Sequence, residues 1–324
     1  MYLENINSPA DVKAVGIDKL DILAGEVRKH LLQKLSDHGG HIGPNLGMVE
    51  ATVALHYVFN SPIDKMVFDV SHQSYAHKML TGRKDAFLNP AEYDEVSGYT
   101  EPSESEHDQF VVGHTSTSVS LACGLAKGRD LKGGKENVIA VIGDGSLSGG
   151  EALEGLDMAA ELDTNIIIVV NDNQMSIAEN HGGLYKNLQL LRETNGGAQC
   201  NLFKAMGLDY VYVGEGNNVK ALVEAFQKVK DTTRPVVVHI NTVKGKGYKF
   251  AEEQKERFHW GFPFVIETGE TKKEYQFGPD FGVHTAQMLL DEMQKDPAVV
   301  ALTAGTPGIW GWNAEMRQKA GKQF

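Results

Sequence analysis

The segment Asn137-Val-Ile-Ala-Val-Ile-Gly-Asp-Gly-Ser146 joins an apolar run to a polar cluster. The same pattern returns in Ile166-Ile-Ile-Val-Val-Asn-Asp-Asn-Gln-Met-Ser-Ile177. Between the two, apolar residues recur at roughly helical spacing, at Leu153, Leu156, Ala159, Ala160 and Leu162. Continuous Val and Ile runs are typical of strands buried on both faces, and a helix between them is typical of a crossover connection. These residues therefore predict a βαβ unit with parallel strands.

Both polar clusters fall at the carboxyl ends of the predicted strands, where open α/β sheets bind their ligands. Gly143 and Gly145 would let the backbone approach a phosphate closely. Asp144 offers a carboxylate oxygen and Asn173 an amide oxygen, which suit octahedral Mg²⁺ together with a backbone carbonyl and diphosphate oxygens. Each cluster alone also fits a solvated turn, but the pair across one βαβ unit favours a magnesium–diphosphate site. The missing third glycine argues against a dinucleotide-binding loop.

Together with further motifs, these clusters resemble the thiamine-diphosphate motif of transketolase-like enzymes, and most closely that of the 1-deoxy-D-xylulose-5-phosphate synthase family. The further motifs lie, in the order of that family, at residues 40–47, 69–78, 103–108, 113–118 and 244–248. The resemblance covers nearly the whole chain but only the first half of the family's usual length. It implies an α/β fold with a doubly wound, mostly parallel sheet and helices on both faces, namely the diphosphate-binding domain of the thiamine-diphosphate-binding fold.

The resemblance also implies two cofactors, thiamine diphosphate and Mg²⁺. It assigns the metal to the side chains of Asp144 and Asn173 and to the backbone carbonyl of Met175, because a methionine side chain is a poor ligand for Mg²⁺. It assigns contacts with the organic cofactor to a larger set, which comprises His72, Gly113, His114, Ser116, Gly143, Asp144, Gly145, Ser146, Asn173, Ile177 and Lys244.

Three histidines are the candidate catalytic residues. The resemblance directs His41, His72 and His259 towards the substrate and the reactive carbon of the cofactor. A neutral imidazole there can hydrogen-bond a carbonyl or hydroxyl group and can shuttle protons near neutral pH. On its residues alone, the glycine-rich loop that holds His41 fits a surface histidine equally well.

Two of the cofactor-binding motifs also have simpler interpretations. The hydroxyls of residues 113–118 suit an anion at a helix N-terminus, but they suit an ordinary helix cap equally well. The motif at residues 244–248 could be a solvated basic loop, whereas the resemblance sets Lys244 beside the diphosphate as a counter-charge.

The predicted organisation is a diphosphate-binding domain over residues 1–261, a linker over 262–281, and the start of a truncated pyrimidine-binding domain over 282–324. Within this division, we expect residues 180–199 to be irregular and residues 298–303 to form a strand. Further expectations are a helix that ends at residues 39–40, a loop over 38–47 and a long loop over 85–112, which is either an active-site lid or a solvated connector.

The composition excludes several classes of protein. A net charge of −12 argues against a nucleic-acid partner and against binding to an anionic membrane. The two cysteines, Cys123 and Cys200, lack the spacing of a zinc site and fit a reducing compartment. Neither a signal peptide nor an apolar run long enough to span a membrane is visible, so we expect a cytoplasmic protein.

The resemblance leaves catalysis incomplete. In the family, a glutamate on the pyrimidine-binding domain activates the cofactor, and the arginines that bind the sugar phosphate lie in the same region, beyond Phe324 here. The leading hypothesis is therefore part of a synthase that joins pyruvate to glyceraldehyde 3-phosphate, inactive alone and completed as a homodimer or by a second domain or chain. The alternatives are the N-terminal subunit of a split transketolase, which moves a ketol unit between sugar phosphates, and a non-catalytic cofactor-binding module.

Overall fold

A five-stranded sheet lies at the centre of the chain, whose computed structural model describes residues 1–303 and 305–324. The strands are β1 (Lys65–Phe68), β2 (Val138–Gly143), β3 (Ile167–Asp172), β4 (Asp209–Val213) and β5 (Val236–Asn241). Their order across the sheet is β1-β2-β3-β5-β4, and every neighbouring pair is parallel.

Eight main helices surround the sheet or follow it in the chain. They are α1 (Leu20–His38), α2 (Val49–Val58), α3 (Ser118–Leu131), α4 (Gly150–Leu162), α5 (Gly183–Glu193), α6 (Val219–Val229), α7 (Phe281–Met293) and α8 (Ala314–Ala320). Shorter α-helical segments are Pro9–Ala14, Ile42–Gly47, Tyr75–Lys78, Asp85–Leu88, Asp144–Leu147, Leu202–Ala205 and Lys249–Glu253. A membrane crossing needs an apolar helix of about 20 residues, and no described helix meets that requirement.

The strands bury side chains on both faces of the sheet. In β2, Ile139 and Val141 belong to one apolar core, whereas Val138, Ala140 and Ile142 belong to a second. Helices α1, α2 and α6 supply the first core, and helices α3, α4 and α5 supply the second. The predicted doubly wound sheet with helices on both faces is thus confirmed, and burial on both faces explains why its strands are continuously apolar.

The register of the sheet brings the two polar clusters together. Strands β2 and β3 are direct neighbours, with Gly143 opposite Asn171, and helix α4 connects them as predicted. Strand β5 lies on the other side of β3, with Asn241 opposite Asp172. The residues that follow β2, β3 and β5 therefore emerge at one edge of the sheet, which is the edge where a ligand site is expected.

One stretch that the sequence predicts as irregular contains a helix. Residues 183–193 form α5, so the prediction of an irregular segment over 180–199 is wrong. Leu184, Leu188 and Leu191 recur at helical spacing, and Leu188 and Leu191 are fully buried in the second core. Because glycine pairs lie near both ends of this helix and its apolar stripe is short, the sequence pattern indicates the helix only weakly. Packing against the sheet stabilises the helix.

Two smaller predictions also fail. Residues 298–303 form no strand, because a strand needs a partner and the backbone N–H of Ala301 instead donates to the carbonyl of Gln323. The predicted loop over 38–47 contains the helix Ile42–Gly47, which is followed directly by α2. The helix predicted before this loop ends at His38 and is capped by Gly39, whose φ of +83° favours glycine.

The long loop over residues 85–112 is held by a buried ionic network. Apart from the short helices Asp85–Leu88 and Pro90–Glu92, the loop is irregular as predicted. Asp108 accepts hydrogen bonds from Nε2 of His77 at 2.9 Å and from both terminal nitrogens of Arg83 at 2.7 and 2.9 Å. Burial opposes ionisation of Asp108, but the hydrogen bonds from Arg83 and His77 outweigh it and hold the pKa of this carboxyl below its usual range.

We expect Asp108→Asn to destabilise the chain by about 3 kcal/mol, because it leaves the buried Arg83 without its main counter-charge. The loss should be present at pH 7 and should shrink as the pH falls below about 4, since a depressed carboxyl pKa contributes its full stability above the pKa of the unfolded state and loses it as the pH falls towards the lower pKa of the folded state. Denaturant unfolding measures both effects, and Glu106→Gln, an exposed change in the same loop, is the control. Equal stabilities of the two variants at pH 7 would contradict this role of Asp108.

Candidate active site

A cavity of about 530 Å³ opens at the carboxyl edge of the sheet. Almost every residue that the sequence predicts for the site lines it, namely His41, His72, Gly113, His114, Gly143, Asp144, Gly145, Ser146, Asn173, Met175, Ile177, Lys244 and His259. Ser116 is the exception, because its backbone N–H donates to Asp69 and its hydroxyl donates to the carbonyl of Ser146. Ser116 therefore supports the cavity wall instead of forming it. A larger groove of about 760 Å³, past Leu153 and Cys200, contains none of the predicted residues.

Asp144 is a buried carboxylate at the floor of this cavity. It follows β2 directly and begins the short helix Asp144–Leu147. Its Oδ1 accepts the backbone N–H of Gly145, and its Oδ2 accepts the side-chain amide of Asn180, both at 2.9 Å. Among the described residues, no Lys or Arg forms an ion pair with it. Burial, reinforced by the nearby charge of Asp172, raises the pKa of Asp144 to about 7. A bound cation would remove the cost of keeping this carboxylate ionised.

Asp172, at the end of β3, supplies the neighbouring negative charge. Although burial opposes its ionisation, hydrogen bonds from His239 and Arg192 hold the pKa of Asp172 below its usual range. The imidazole of His239 bridges Oδ2 of Asp172 at 2.9 Å and the hydroxyl of Tyr210 at 2.8 Å. The charge of Asp172 is thus compensated by Arg192 and His239, which do not line the cavity, whereas Asp144 lines the cavity.

Asn173 and Met175 lie in the loop that follows β3. The backbone bends at Gln174, whose φ is +65°, and the side-chain oxygen of Asn173 accepts the N–H of Met175 at 3.2 Å. The described residues contain no cluster of three or more His, Cys, Asp or Glu side chains that could hold a metal. A carboxylate, an amide oxygen and a backbone carbonyl are instead an all-oxygen set that suits Mg²⁺ completed by phosphate oxygens.

Two glycines are required where the loops of the site meet. A Cβ atom on Gly145 would lie 2.2 Å from the hydroxyl of Ser176, and a Cβ atom on Gly149 would lie 2.0 Å from the hydroxyl of Ser116. By contrast, a Cβ atom on Gly113 or Gly143 would meet nothing within 4 Å. Gly145 and Gly149 therefore permit close packing of the loops, while Gly113 and Gly143 border open space in the cavity.

Lys244 follows β5 and is buried in the cavity wall. Its ammonium group donates to the backbone carbonyl of Ser176. Burial lowers the pKa of this lysine to about 8, although the charge of Asp144 acts in the opposite direction. Within residues 1–303 and 305–324, no carboxylate forms an ion pair with Lys244. One cavity thus holds a buried acid and a buried base that each lack a direct counter-ion, an arrangement that a metal-bound anion would complement on both sides.

The three predicted histidines form one cluster. The ring centroids of His41 and His72 lie 4.8 Å apart, those of His72 and His259 lie 5.3 Å apart, and those of His41 and His259 lie 5.7 Å apart. Burial lowers the pKa of His41 to about 4 and that of His72 to about 3. For His259, burial and then the charge of Lys244 hold the pKa well below its ordinary value. All three rings are therefore neutral at pH 7 and can each donate and accept one hydrogen bond.

The cluster presents unsatisfied groups that a ligand could use. The Nδ1 atoms of His72 and His259 are buried and have no hydrogen-bond partner within the described part of the chain. Buried polar atoms are rarely left in this state unless they serve a ligand or a water molecule. The surface interpretation of the His41 loop does not hold, since His41 lines the cavity.

Residues that the sequence did not single out hold the site together. The amide of Asn45 donates to the carbonyls of His41 and His72 at 2.7 and 2.8 Å, which fixes the two histidine-bearing segments to each other. Asp69 accepts the backbone N–H groups of Ser116 and Ser118 at 2.8 and 2.9 Å, which fixes the start of α3. Asn45 lies inside the motif at residues 40–47, and Asp69 lies inside the motif at residues 69–78. Their place in these motifs is the sequence signal that could have indicated a role in the site.

The fold is that of transketolases. The chain matches the crystal structure of a transketolase from Campylobacter jejuni with a TM-score of 0.60 at 18% identity, over 95% of this chain and 49% of that one. It matches a transketolase from Pichia stipitis in complex with sedoheptulose 7-phosphate with a TM-score of 0.56 at 18% identity, over 93% of this chain and 45% of that one. At such identities, the likeness concerns the fold alone.

Comparison with family models of sequence identifies the family of the chain more closely than the fold does. The family model described as 1-deoxy-D-xylulose-5-phosphate synthase matches residues 3–200, and the model described as the thiamine diphosphate binding domain of transketolase matches residues 115–313. The chain belongs to the 1-deoxy-D-xylulose-5-phosphate synthase family. This confirms the resemblance on which the sequence predictions were based.

Curated proteins named 1-deoxy-D-xylulose-5-phosphate synthase match nearly the whole chain. The protein of Caldanaerobacter subterraneus subsp. tengcongensis is 42% identical over 94% of this chain and 54% of its own length. The protein of Symbiobacterium thermophilum is 38% identical over 100% of this chain and 55% of its own length. The chain thus spans about half the length of these relatives.

Proposed function

We propose that this chain binds thiamine diphosphate through Mg²⁺ and supplies the diphosphate-binding half of a 1-deoxy-D-xylulose-5-phosphate synthase. The observation that carries the proposal is the pairing, in one cavity, of the buried Asp144 and the buried Lys244, neither of which forms an ion pair with another described residue. A magnesium diphosphate offers a cation to the first and an anion to the second. Family membership supports the same ligand.

The residues present fit this group. The Asp144 and Asn173 side chains and the Met175 carbonyl would hold the metal, and Lys244 would face the diphosphate. The open space beside Gly113 and Gly143 leaves room for a ligand close to the backbone, and the hydroxyl of Ser146 and the side chain of His114 complete the adjoining wall. Ile177 would pack beside the thiazolium ring. When bound, the cofactor supplies a carbon nucleophile for addition to the carbonyl of a 2-oxo acid.

The histidine cluster would handle the substrate. His41, His72 and His259 are neutral at pH 7. Each ring would therefore donate one hydrogen bond and accept another from the carbonyl and hydroxyl groups of a bound substrate. For the whole enzyme, the proposed reaction joins pyruvate and glyceraldehyde 3-phosphate to give 1-deoxy-D-xylulose 5-phosphate and CO₂.

The proposed domain division is residues 1–261 for the diphosphate-binding domain, 262–281 for a linker and 282–324 for the start of a pyrimidine-binding domain. The last segment exposes large apolar side chains, among them Phe281, Leu302 and Ile309, which are 91%, 96% and 70% accessible. Exposed apolar surface of this kind supports completion by further polypeptide, either a second domain or a second chain. We propose that turnover requires this completion, because the resemblance places the glutamate that activates the cofactor on the pyrimidine-binding domain.

We expect Lys244→Met to weaken thiamine diphosphate binding by roughly 10- to 100-fold, which is the effect of removing a hydrogen bond between charged groups. Binding of thiamine, which lacks the diphosphate, should stay within about twofold. Equilibrium dialysis with both ligands measures the difference. Lys249→Met is the matched control, because the Lys249 side chain is 78% exposed. An equal loss for both ligands would indicate that Lys244 has only a structural role.

The reaction itself is tested by complementation. The chain is mixed with the separately expressed C-terminal half of the Caldanaerobacter relative, and CO₂ release from pyruvate is measured with and without glyceraldehyde 3-phosphate. Acceptor-dependent release supports the proposed reaction. Activity with a ketose phosphate donor instead of pyruvate would indicate a split transketolase, and cofactor binding without activity on either donor would indicate a non-catalytic module.

A further inference from the structure

We propose that Arg317 is a positioning residue that fixes two loops of the active site with one guanidinium group, a proposal that rests on the proposed function. The metal-binding loop (residues 173–180) carries Asn173 and Met175, and the histidine loop (residues 254–259) carries His259. Arg317 lies on α8, far along the chain from both loops, yet it bonds to a carboxylate in each.

The contacts of Arg317 form a partly buried fork. Nη1 donates to Oε1 of Glu256 at 3.0 Å, and Nη2 donates to Oε2 of the same residue at 2.8 Å. Nη2 also donates to Oε2 of Glu179 at 2.6 Å, and Nη1 donates to the carbonyl of Trp312 at 2.6 Å. The Arg317 side chain is 12% exposed and that of Glu256 is 23% exposed, so solvent screens this pair weakly, whereas the Glu179 side chain is 50% exposed. Bidentate arginine–carboxylate pairs are the stronger and more directional kind of ion pair.

Glu179 connects the guanidinium to the candidate metal ligands. Its backbone pairs with that of Met175 in an isolated β-bridge, which closes the metal-binding loop on itself. The next residue, Asn180, donates to Oδ2 of Asp144 at 2.9 Å and accepts the hydroxyl of Ser176 at 2.6 Å. A shift of Glu179 would therefore reach both Met175 and Asp144.

Glu256 connects the same guanidinium to the catalytic cluster. Its backbone carbonyl accepts the N–H of His259 at 3.1 Å. The neighbouring carbonyl of Phe258 accepts the N–H of Gly43 at 2.6 Å, and the carbonyl of His259 accepts the N–H of Ile42 at 3.2 Å. The histidine loop is thereby docked beside His41, and Arg317 holds its outer end.

One consequence is that residues 282–324 are coupled to the metal site. A single cation lies between two carboxylates from different loops and reduces the repulsion between them. Lysine cannot reproduce the fork, because its ammonium group is a compact point charge. The other cation of α8, Lys319, makes only an exposed pair with Glu315 at 2.7 Å, and its side chain is 53% exposed.

The test compares Arg317→Ala, Arg317→Lys and the control Lys319→Ala. We expect Arg317→Ala to lower the Mg²⁺-dependent affinity for thiamine diphosphate by about tenfold, as is common when a residue that orients metal ligands is lost. Arg317→Lys should recover part of that loss, and Lys319→Ala should change the affinity by less than about twofold. Calorimetric titration of the 324-residue chain measures all three.

Amide hydrogen exchange tests the contact without any ligand. We expect faster exchange in Arg317→Ala at residues 175–180 and 254–259 together, and no change in Lys319→Ala. Unchanged exchange in both loops, or an unchanged affinity for the cofactor, would overturn the proposal. If the unaltered chain binds no thiamine diphosphate, the proposed function fails, whereas the exchange result still decides whether Arg317 holds the two loops.

Discussion

Replacing Asp144 by alanine is expected to abolish Mg²⁺-dependent binding of thiamine diphosphate while the fold is retained. Asp144 is the one carboxylate among the candidate metal ligands, so its loss removes the main charge that attracts the cation. The fold should survive, because a buried carboxylate without a direct counter-ion contributes little to stability. Calorimetric titration with and without Mg²⁺ measures the binding, and far-ultraviolet circular dichroism checks the fold. Asp157→Ala is the control, since Asp157 is exposed on α4.

The isosteric variant Asp144→Asn adds a test of the charge itself. Because the pKa of Asp144 is raised to about 7, the native state keeps a proton that the unfolded state loses above about pH 4. Without metal, stability should therefore fall as the pH rises from about 4 to about 7. Asp144→Asn removes this decline and should stabilise the metal-free chain at pH 8 but not at pH 4. Unchanged cofactor affinity in Asp144→Ala, or no stabilisation at pH 8 in Asp144→Asn, would contradict the assigned site.

The second large effect is expected for His72→Ala in the completed enzyme. We expect turnover to fall by about 10²- to 10⁴-fold, the usual contribution of a positioned acid–base group. Affinity for thiamine diphosphate should change far less, because the metal and diphosphate ligands are untouched. The complementation assay measures turnover, and calorimetry measures binding.

Two further variants sharpen this test. His38→Ala is the control, because His38 is exposed on α1 outside the cavity. His72→Asn keeps a polar side chain at this position. It therefore separates the loss of the imidazole from the loss of packing that alanine causes. Equal losses of turnover and of cofactor binding in both His72 variants would indicate a structural histidine.

The central part of the fold could be predicted because its signals are local. Strands β2 and β3 are continuous runs of β-branched residues, and their burial on both faces demands such runs. Asp144 and Asn173 could be predicted as neighbours because each follows one of two adjacent parallel strands. The start of α5 carries no comparable signal, since Gly182 precedes it, Gly183 is its first residue and its apolar stripe is short.

The remaining features depend on contacts between distant residues. Asn180 forms a hydrogen bond with Asp144. Arg317 forms hydrogen bonds with Glu179 and Glu256. No spacing in the sequence predicts these pairs. The positive φ angles of Val70, Ser71 and Ser116 likewise follow from the packing of loops around the cavity. The predicted strand at residues 298–303 failed for the related reason that a strand depends on a partner elsewhere in the chain.

The most direct test is a calorimetric titration of this chain with thiamine diphosphate, with Mg²⁺ and then with the metal removed by a chelator. We expect saturable binding to one site per chain in the presence of Mg²⁺ and none in its absence. That result would support Asp144, Asn173 and Met175 as the metal site and Lys244 as its counterpart for the diphosphate. Absence of binding under both conditions, or equal binding without metal, would contradict the proposed site.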